Sequence, residues 1–246
     1  MHVSGRKKKR IIDWKIREKE LVKLLDKHRS KTGNFDCIVP VSGGKDGSYV
    51  AYNLKHKYGM NPLTVTVRPA LALDVGDINL INFIQSGYNH IQISCNPLVL
   101  DRLNKYGFTA KGFPYYGWLI AIKTAVIRTA ANFKIPLIFY GEDGEVEYGG
   151  STETKNISTY DTTYQRKIYL EDGYEKVLSK LDVSESDLFF FTFPSDDELK
   201  DVKLTHWSYY EPWDPYRNYL IAKEHCGLQE NLDSNQGTFT NFAQND

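Results

Sequence analysis

Ten consecutive residues hold the chain's most specific chemistry: Val39-Pro40-Val41-Ser42-Gly43-Gly44-Lys45-Asp46-Gly47-Ser48. Ser42, Gly43 and Gly44 let a backbone approach anionic oxygens with no side chain in the way. Lys45 adds a positive point charge. Asp46 can hold a divalent cation beside a leaving polyphosphate. Gly47 keeps the loop small, and Ser48 begins a helix-competent stretch, where its hydroxyl caps the helix or donates to phosphate. Free N–H groups at a positive helix end complete an anion site. A tight strand–helix turn with no ligand is the plain alternative, and the full Ser-Gly-Gly-Lys-Asp order disfavours it.

Asp46 stands where a Walker loop places Ser or Thr after Gly-Lys, so this is not that loop. It reads instead as the pyrophosphate loop of enzymes that split ATP into AMP and pyrophosphate, with Lys45 and Asp46 catalytic. A second chemical segment runs from Tyr140 to Gly150 and packs four carboxylates and four glycines into eleven residues. Glu142 directly follows an apolar run, which makes it the second carboxylate for Mg2+ beside Asp46. Gly141 belongs to the nucleotide site, and Glu145 and Glu147 are candidates to orient an amine or a sugar hydroxyl. Thr66 and Arg68 end another apolar run, where the main chain would face an adenine and the guanidinium an anion. The segment from Thr205 to Arg217 is crowded with aromatics, and His206, Trp207 and Trp213 suit stacking on a sugar or base. The competing reading of those aromatics is a satellite core under a loop, or a subunit interface.

The elements that must position these residues alternate along the chain. Residues 11–31 form an amphipathic helix pattern closed by Gly33-Asn34. Strands are expected at Cys37 to Val41, almost wholly apolar as a strand buried on both faces should be, at Leu63 to Val67, at His90 to Ser94 with Ile91 and Ile93 inward, and at Pro136 to Tyr140. Helices are expected at Ser48 to Lys57, Ile78 to Ser86, from Pro97, and at Trp118 to Phe133. Such alternation predicts an α/β fold with a parallel sheet, helices on both faces and ligands at the strand C-terminal ends. Three units follow: a basic tail and helix over 1–33, an ATP-pyrophosphatase core over 34–150, and a less regular substrate-facing extension over 151–246. Arg6-Lys7-Lys8-Lys9-Arg10 reads as a solvated tail.

Composition excludes several classes. The 31 basic and 31 acidic residues balance, so no global field points to nucleic acid or a membrane surface. No apolar stretch approaches the length of a membrane span, and no signal peptide is evident. Cys37, Cys95 and Cys226 are far apart and odd in number, so neither a disulfide framework nor a self-contained zinc site is expected. A cytoplasmic protein with a sizeable core is the expectation.

Together these segments resemble one family, the N-acetyl sugar amidotransferases of bacterial O-antigen and pseudaminic acid (surface-polysaccharide) biosynthesis. The likeness rests on Val39 to Ser48, Gly112-Phe113-Pro114-Tyr115-Tyr116-Gly117-Trp118, Phe139 to Gly150, Thr205-His206-Trp207-Ser208-Tyr209, Trp213-Asp214-Pro215-Tyr216, and Gly237-Thr238-Phe239-Thr240-Asn241-Phe242-Ala243-Gln244. It covers roughly residues 10–246. The resemblance implies a fold of the adenine-nucleotide alpha-hydrolase (PP-loop) type, ATP and Mg2+, and conversion of a sugar acetamido group to an acetamidino group. It further implies ammonia from a separate glutaminase subunit through a cyclase-like subunit. Family members carry a cysteine-rich metal-ligand segment ahead of the Ile11-Ile12-Asp13-Trp14 helix and a helical tail beyond Gln244. Zinc is therefore expected only with such an N-terminal segment, and the chain is expected to be a fragment or a shortened form.

Two other readings keep part of this chemistry. One is a PP-loop enzyme acting on another acceptor, by tRNA thiolation or amide synthesis; the neutral charge and scattered cysteines speak against tRNA. The other is a nucleotide-binding module without turnover, which has no need of Asp46 and the acidic loop.

Overall fold

Short β-branched and apolar runs, each followed by a helix-competent segment, set the architecture. The computed structural model describes residues 12–142, 153–170, 173–234 and 240–242. Glu145, Glu147 and the Arg6–Arg10 tail lie outside the described residues. So do Gly237 to Phe239, Ala243 and Gln244.

Five parallel strands form one sheet: β1 Cys37–Pro40, β2 Pro62–Val67, β3 His90–Ile93, β4 Leu137–Tyr140 and β5 Lys203–His206, in the order β3-β2-β1-β4-β5. Ile38 is in register with Leu63 on one side and Ile138 on the other, and Tyr140 with His206. The helices in chain order are α1 Trp14–His28, α2 Lys45–Tyr52, α3 Asp74–Gln85, α4 Pro97–Tyr106, α5 Tyr116–Phe133, α6 Thr162–Tyr164, α7 Tyr174–Leu178, α8 Asp196–Leu199 and α9 Pro215–Cys226. Among the described residues no helix is long and apolar enough to cross a membrane.

Alternation along the strands separates two cores. Cys37, Val39, Leu137 and Phe139 face one side, with Leu21 and Leu25 of α1, Val50 and Leu54 on the α2 side, Phe83 of α3 and Cys226 of α9. Ile38 and Ile138 face the other, with α4, α5 and the segments around Tyr174, Phe191 and Leu199. The sheet is thus covered on both faces, as its near-continuous apolar strands require.

The structure corrects the sequence reading in two places. First, the sheet does not end at residue 150. β5 comes from the segment read as an extension over the active edge, and its Leu204 is buried in the α5-side core. Only four residues long and followed by aromatics, β5 lacks a turn signal that would mark it as a strand. Second, α2 begins at Lys45, not Ser48, with Gly44 as N-cap. Lys45, Asp46 and Gly47 are therefore the first turn. Ser48 lies inside the helix, fully buried, and its Oγ has no partner among the described residues. It neither caps the helix nor lies open to a phosphate.

Candidate active site

The loop between β1 and α2 is shaped by contact with its neighbours. Gly43 has φ +90°, and a Cβ there would lie 2.5 Å from the Leu80 backbone nitrogen of α3. A Cβ on Gly47 would lie 2.8 Å from the Pro40 carbonyl oxygen, because α2 starts directly against the end of β1. Both positions need glycine for space, and Gly43 also for its backbone conformation. Gly44 adopts extended φ −72° and ψ 174°, and no side chain caps the N–H groups that follow. The first N–H groups of α2 have no carbonyl a turn earlier to meet. An uncapped helix start with Lys45 in its first turn is a ready site for an anion.

Asp46 sits in that first turn with both oxygens engaged. Lys45 Nζ donates to Oδ2 at 2.6 Å, and Asn218 Nδ2 of α9 donates to Oδ1 at 2.9 Å. Gly141, at the end of β4, lies beside it: a Cβ on Gly141 would be 3.6 Å from the Asp46 Cβ and 3.0 Å from the Trp213 ring. Thus the ends of β1 and β4, which flank the point where strand order reverses, bring Asp46 and the Gly141–Glu142 segment together. Among the described residues no three His, Cys, Asp or Glu side chains cluster as a metal cage. Two carboxylates suit Mg2+, which keeps waters and phosphate oxygens as its other ligands.

A cleft of about 660 Å³ opens from this point across the C-terminal ends of β1, β2 and β4, between α3 and α5. Ser42, Thr66, Arg68 and Glu142 line it, with Leu80 of α3 and Trp118, Ile122 and Lys123 of α5. Its volume and largely apolar walls suit a ligand the size of a nucleotide. Thr66 gives its hydroxyl proton to the Val41 carbonyl, which pins the start of the loop. Arg68 forks Asp77 of α3 through two bonds, at 2.9 and 2.8 Å, so its charge is already matched. Tyr140 also lines the cleft; its hydroxyl is without a partner among the described residues, and burial pushes its pKa up. The Lys123 ammonium lies 5.0 Å from the Tyr140 ring centre and 4.0 Å from that of Tyr169.

The aromatic segment divides. Trp207 is 1% exposed and packs between Tyr49, Tyr58 and Phe139 in the α2-side core. This corrects its assignment to substrate: the indole anchors α2. Glu211 completes the anchor by accepting from the Tyr49 hydroxyl at 2.6 Å, the Trp207 indole N–H and Arg217 Nη2 at 3.0 Å. Trp213 is half-buried beside Gly141, at the edge of a smaller cleft of about 290 Å³ that it shares with His206, Ser208, Thr154 and the α1 residues Trp14 and Arg17. His206 is buried and meets the Tyr160 hydroxyl. The site thus keeps Trp213 at a ligand-sized opening and takes Trp207 away from it.

Asn218 is the residue at Asp46 that the sequence did not mark, and Trp118 and Tyr140, quoted there only within longer segments, line the cleft. Asparagine inside a helix carries no motif, and only the packing of α9 on α2 brings it to Asp46.

All three cysteines are buried, in β1, after β3 and at the end of α9. Burial pushes the thiols of Cys95 and Cys226 up to about 11. Such thiols are protonated at neutral pH and poor nucleophiles.

No protein-family model matches the chain, and no curated protein sequence matches it. Among solved structures it is similar to the U34-tRNA thiolase NcsA from Methanococcus maripaludis with its 4Fe-4S cluster, at 14% identity and a TM-score of 0.43, over 93% of this chain and 70% of that one. It is also similar to the NMN synthetase from Francisella tularensis, at 15% identity and a TM-score of 0.36, over 90% of each chain.

Proposed function

We propose that the chain is a PP-loop ATP pyrophosphatase that converts a sugar N-acetyl group to an acetamidino group. The observation that carries this reading is the uncapped start of α2, with Asp46 in its first turn beside Gly141, while Ser42 of the preceding loop and Glu142, next in sequence to Gly141, line the 660 Å³ cleft. An amide carbonyl is a poor electrophile. Attack of its oxygen on the α-phosphorus of ATP releases pyrophosphate and leaves an O-adenylated imidate. Ammonia then adds to the imidate carbon, AMP leaves, and loss of a proton gives the amidine.

The chain's residues divide this work. The loop N–H groups and Lys45 hold the departing pyrophosphate against the helix end. Asp46 and Glu142 are the residues that would hold Mg2+, which when bound neutralises charge on the phosphates. The apolar cleft along β2 and α5 takes the adenosine. The acceptor enters from the Trp213 side, where that ring lines the smaller cleft and lies against Gly141. Ammonia comes from a partner glutaminase through a cyclase-like subunit, in the cytoplasm.

Thiolation of tRNA is the second reading, and the buried, protonated cysteines disfavour it, since none is poised to carry sulfur. The test is pyrophosphate release from ATP. Release that requires both ammonia and an N-acetylated nucleotide sugar is the expected result. Release with tRNA and a sulfur donor instead would favour the second reading. ATP binding without turnover across a panel of acceptors would reduce the chain to a nucleotide-binding module.

A further inference from the structure

We propose that Asn218 is a positioning residue that fixes the Asp46 carboxylate so that Oδ2 is the oxygen available to a divalent cation. The inference rests on the ATP-site reading above and adds a residue to it.

Asn218 is fully buried in the first turn of α9, where that helix packs on α2. A buried amide costs free energy unless it is hydrogen-bonded, and an apolar residue would fill the same space without that cost. Among the described residues the one side-chain bond it makes is the donation from Nδ2 to Asp46 Oδ1, and its own Oδ1 has no partner there. The orientation is fixed by chemistry, because a carboxylate only accepts. The turn that carries Asn218 is itself stiff: Asp214 caps it through the Tyr216 and Arg217 N–H groups, and Pro215 is its first residue.

The other oxygen is held differently. Oδ2 meets Lys45 Nζ, an ammonium on a flexible four-carbon stem. One oxygen is thus tied to a buried amide on another helix, and the other to a long-stemmed ammonium in its own first turn, a side chain 11% exposed. When Lys45 turns to the phosphates, Oδ2 is released while Oδ1 stays fixed. Without Asn218 the carboxylate rotates, and Lys45 can satisfy either oxygen.

The test uses the full chain, Mn2+ as probe and an ATP analogue with a methylene between the α- and β-phosphorus. Mn2+ binding is read by electron paramagnetic resonance in wild type, Asn218→Ala and Asn218→Leu. Both variants are expected to weaken Mn2+ about 10-fold, in the range found when a partner of a metal ligand is removed. Analogue binding without metal should be unchanged, as should the thermal midpoint of Asn218→Leu, which keeps the interface filled. In turnover the Mg2+ concentration for half-maximal rate should rise with no change in acceptor KM. Wild-type Mn2+ affinity in both variants overturns the inference alone. Equal loss of metal-free analogue binding overturns it too, since the role would then be structural. Failure of wild type to bind Mn2+ with the analogue overturns the ATP-site reading, and this inference with it.

Discussion

The loop at Ser42–Ser48 and the aromatic segment at Thr205–Arg217 look equally functional in the sequence, yet the fold uses them in opposite ways. The loop exposes backbone: two glycines are forced by contacts with α3 and β1, and the helix start is left uncapped. The aromatic segment mostly hides its side chains, with Trp207 sealed and Glu211 joining three donors from α2, the segment itself and α9. One supplies the candidate site and the other braces the helix that carries it. Glycine patterns report local geometry, which sequence encodes directly. Aromatic clusters report only that large apolar surfaces need cover, and a core covers them as well as a ligand does.

Substitutions can break this contrast. The largest effect is expected for Asp46→Asn, which keeps the shape but removes the charge. Pyrophosphate release should fall about a thousandfold, given several kcal/mol of charge stabilisation at ~1.4 kcal/mol per tenfold. A wild-type rate would sink the metal assignment. Next comes Trp207→Ala, for which denaturant unfolding should show a loss of about 4 kcal/mol, as for other buried large-to-small changes. Trp213→Ala should lose less than about 1 kcal/mol and show its effect in acceptor KM. Equal destabilisation by the two would erase the distinction drawn within the segment.

Gly43→Ala should cost about 2–3 kcal/mol, since it combines a left-handed backbone with a clash against the Leu80 backbone. Gly112 has φ +68° but open space around it, so Gly112→Ala should cost only about 1 kcal/mol. If the two cost the same, close packing of α3 does not shape the loop.

A last effect concerns acid stability on β3, away from both regions. Burial pushes the His90 pKa down to about 4 from an ordinary 6.5. Its Nδ1 meets the Thr64 hydroxyl, and that hydroxyl's proton goes to Asn89 O, so the ring is the neutral Nδ1–H form with a buried, unpartnered Nε2. The unfolded chain takes up a proton below about 6.5 that the native chain refuses until about 4. Stability contributed by neutral His90 is therefore present above that window and lost as pH falls through it. Unfolding of His90→Asn followed between pH 7 and pH 4 (roughly the interval of that shift) should show a shallower acid loss than wild type. An identical slope would remove His90 as a source.

Four strands and the order of strand and helix through Tyr140 were legible because short apolar runs closed by glycine breaks are local signals. β5 was not, since a four-residue strand among aromatics is recruited only by pairing with β4. The start of α2 was read three residues late. Gly44 can cap a helix with its backbone alone, and Lys45-Asp46-Gly47 resembles a loop until β1 and α3 hold it.

By itself the sequence determined the glycine loop with its charges, and a parallel α/β sheet with both faces covered. These follow from backbone sterics and hydrophobic periodicity, which act over a few residues. Tertiary structure alone decided that Trp207 is core, that Ser48 is interior to its helix, and that Asn218, 172 residues along the chain, reaches Asp46. Those outcomes depend on which surfaces meet when α9 closes on α2. No local pattern encodes that, because burial is a property of the packed whole.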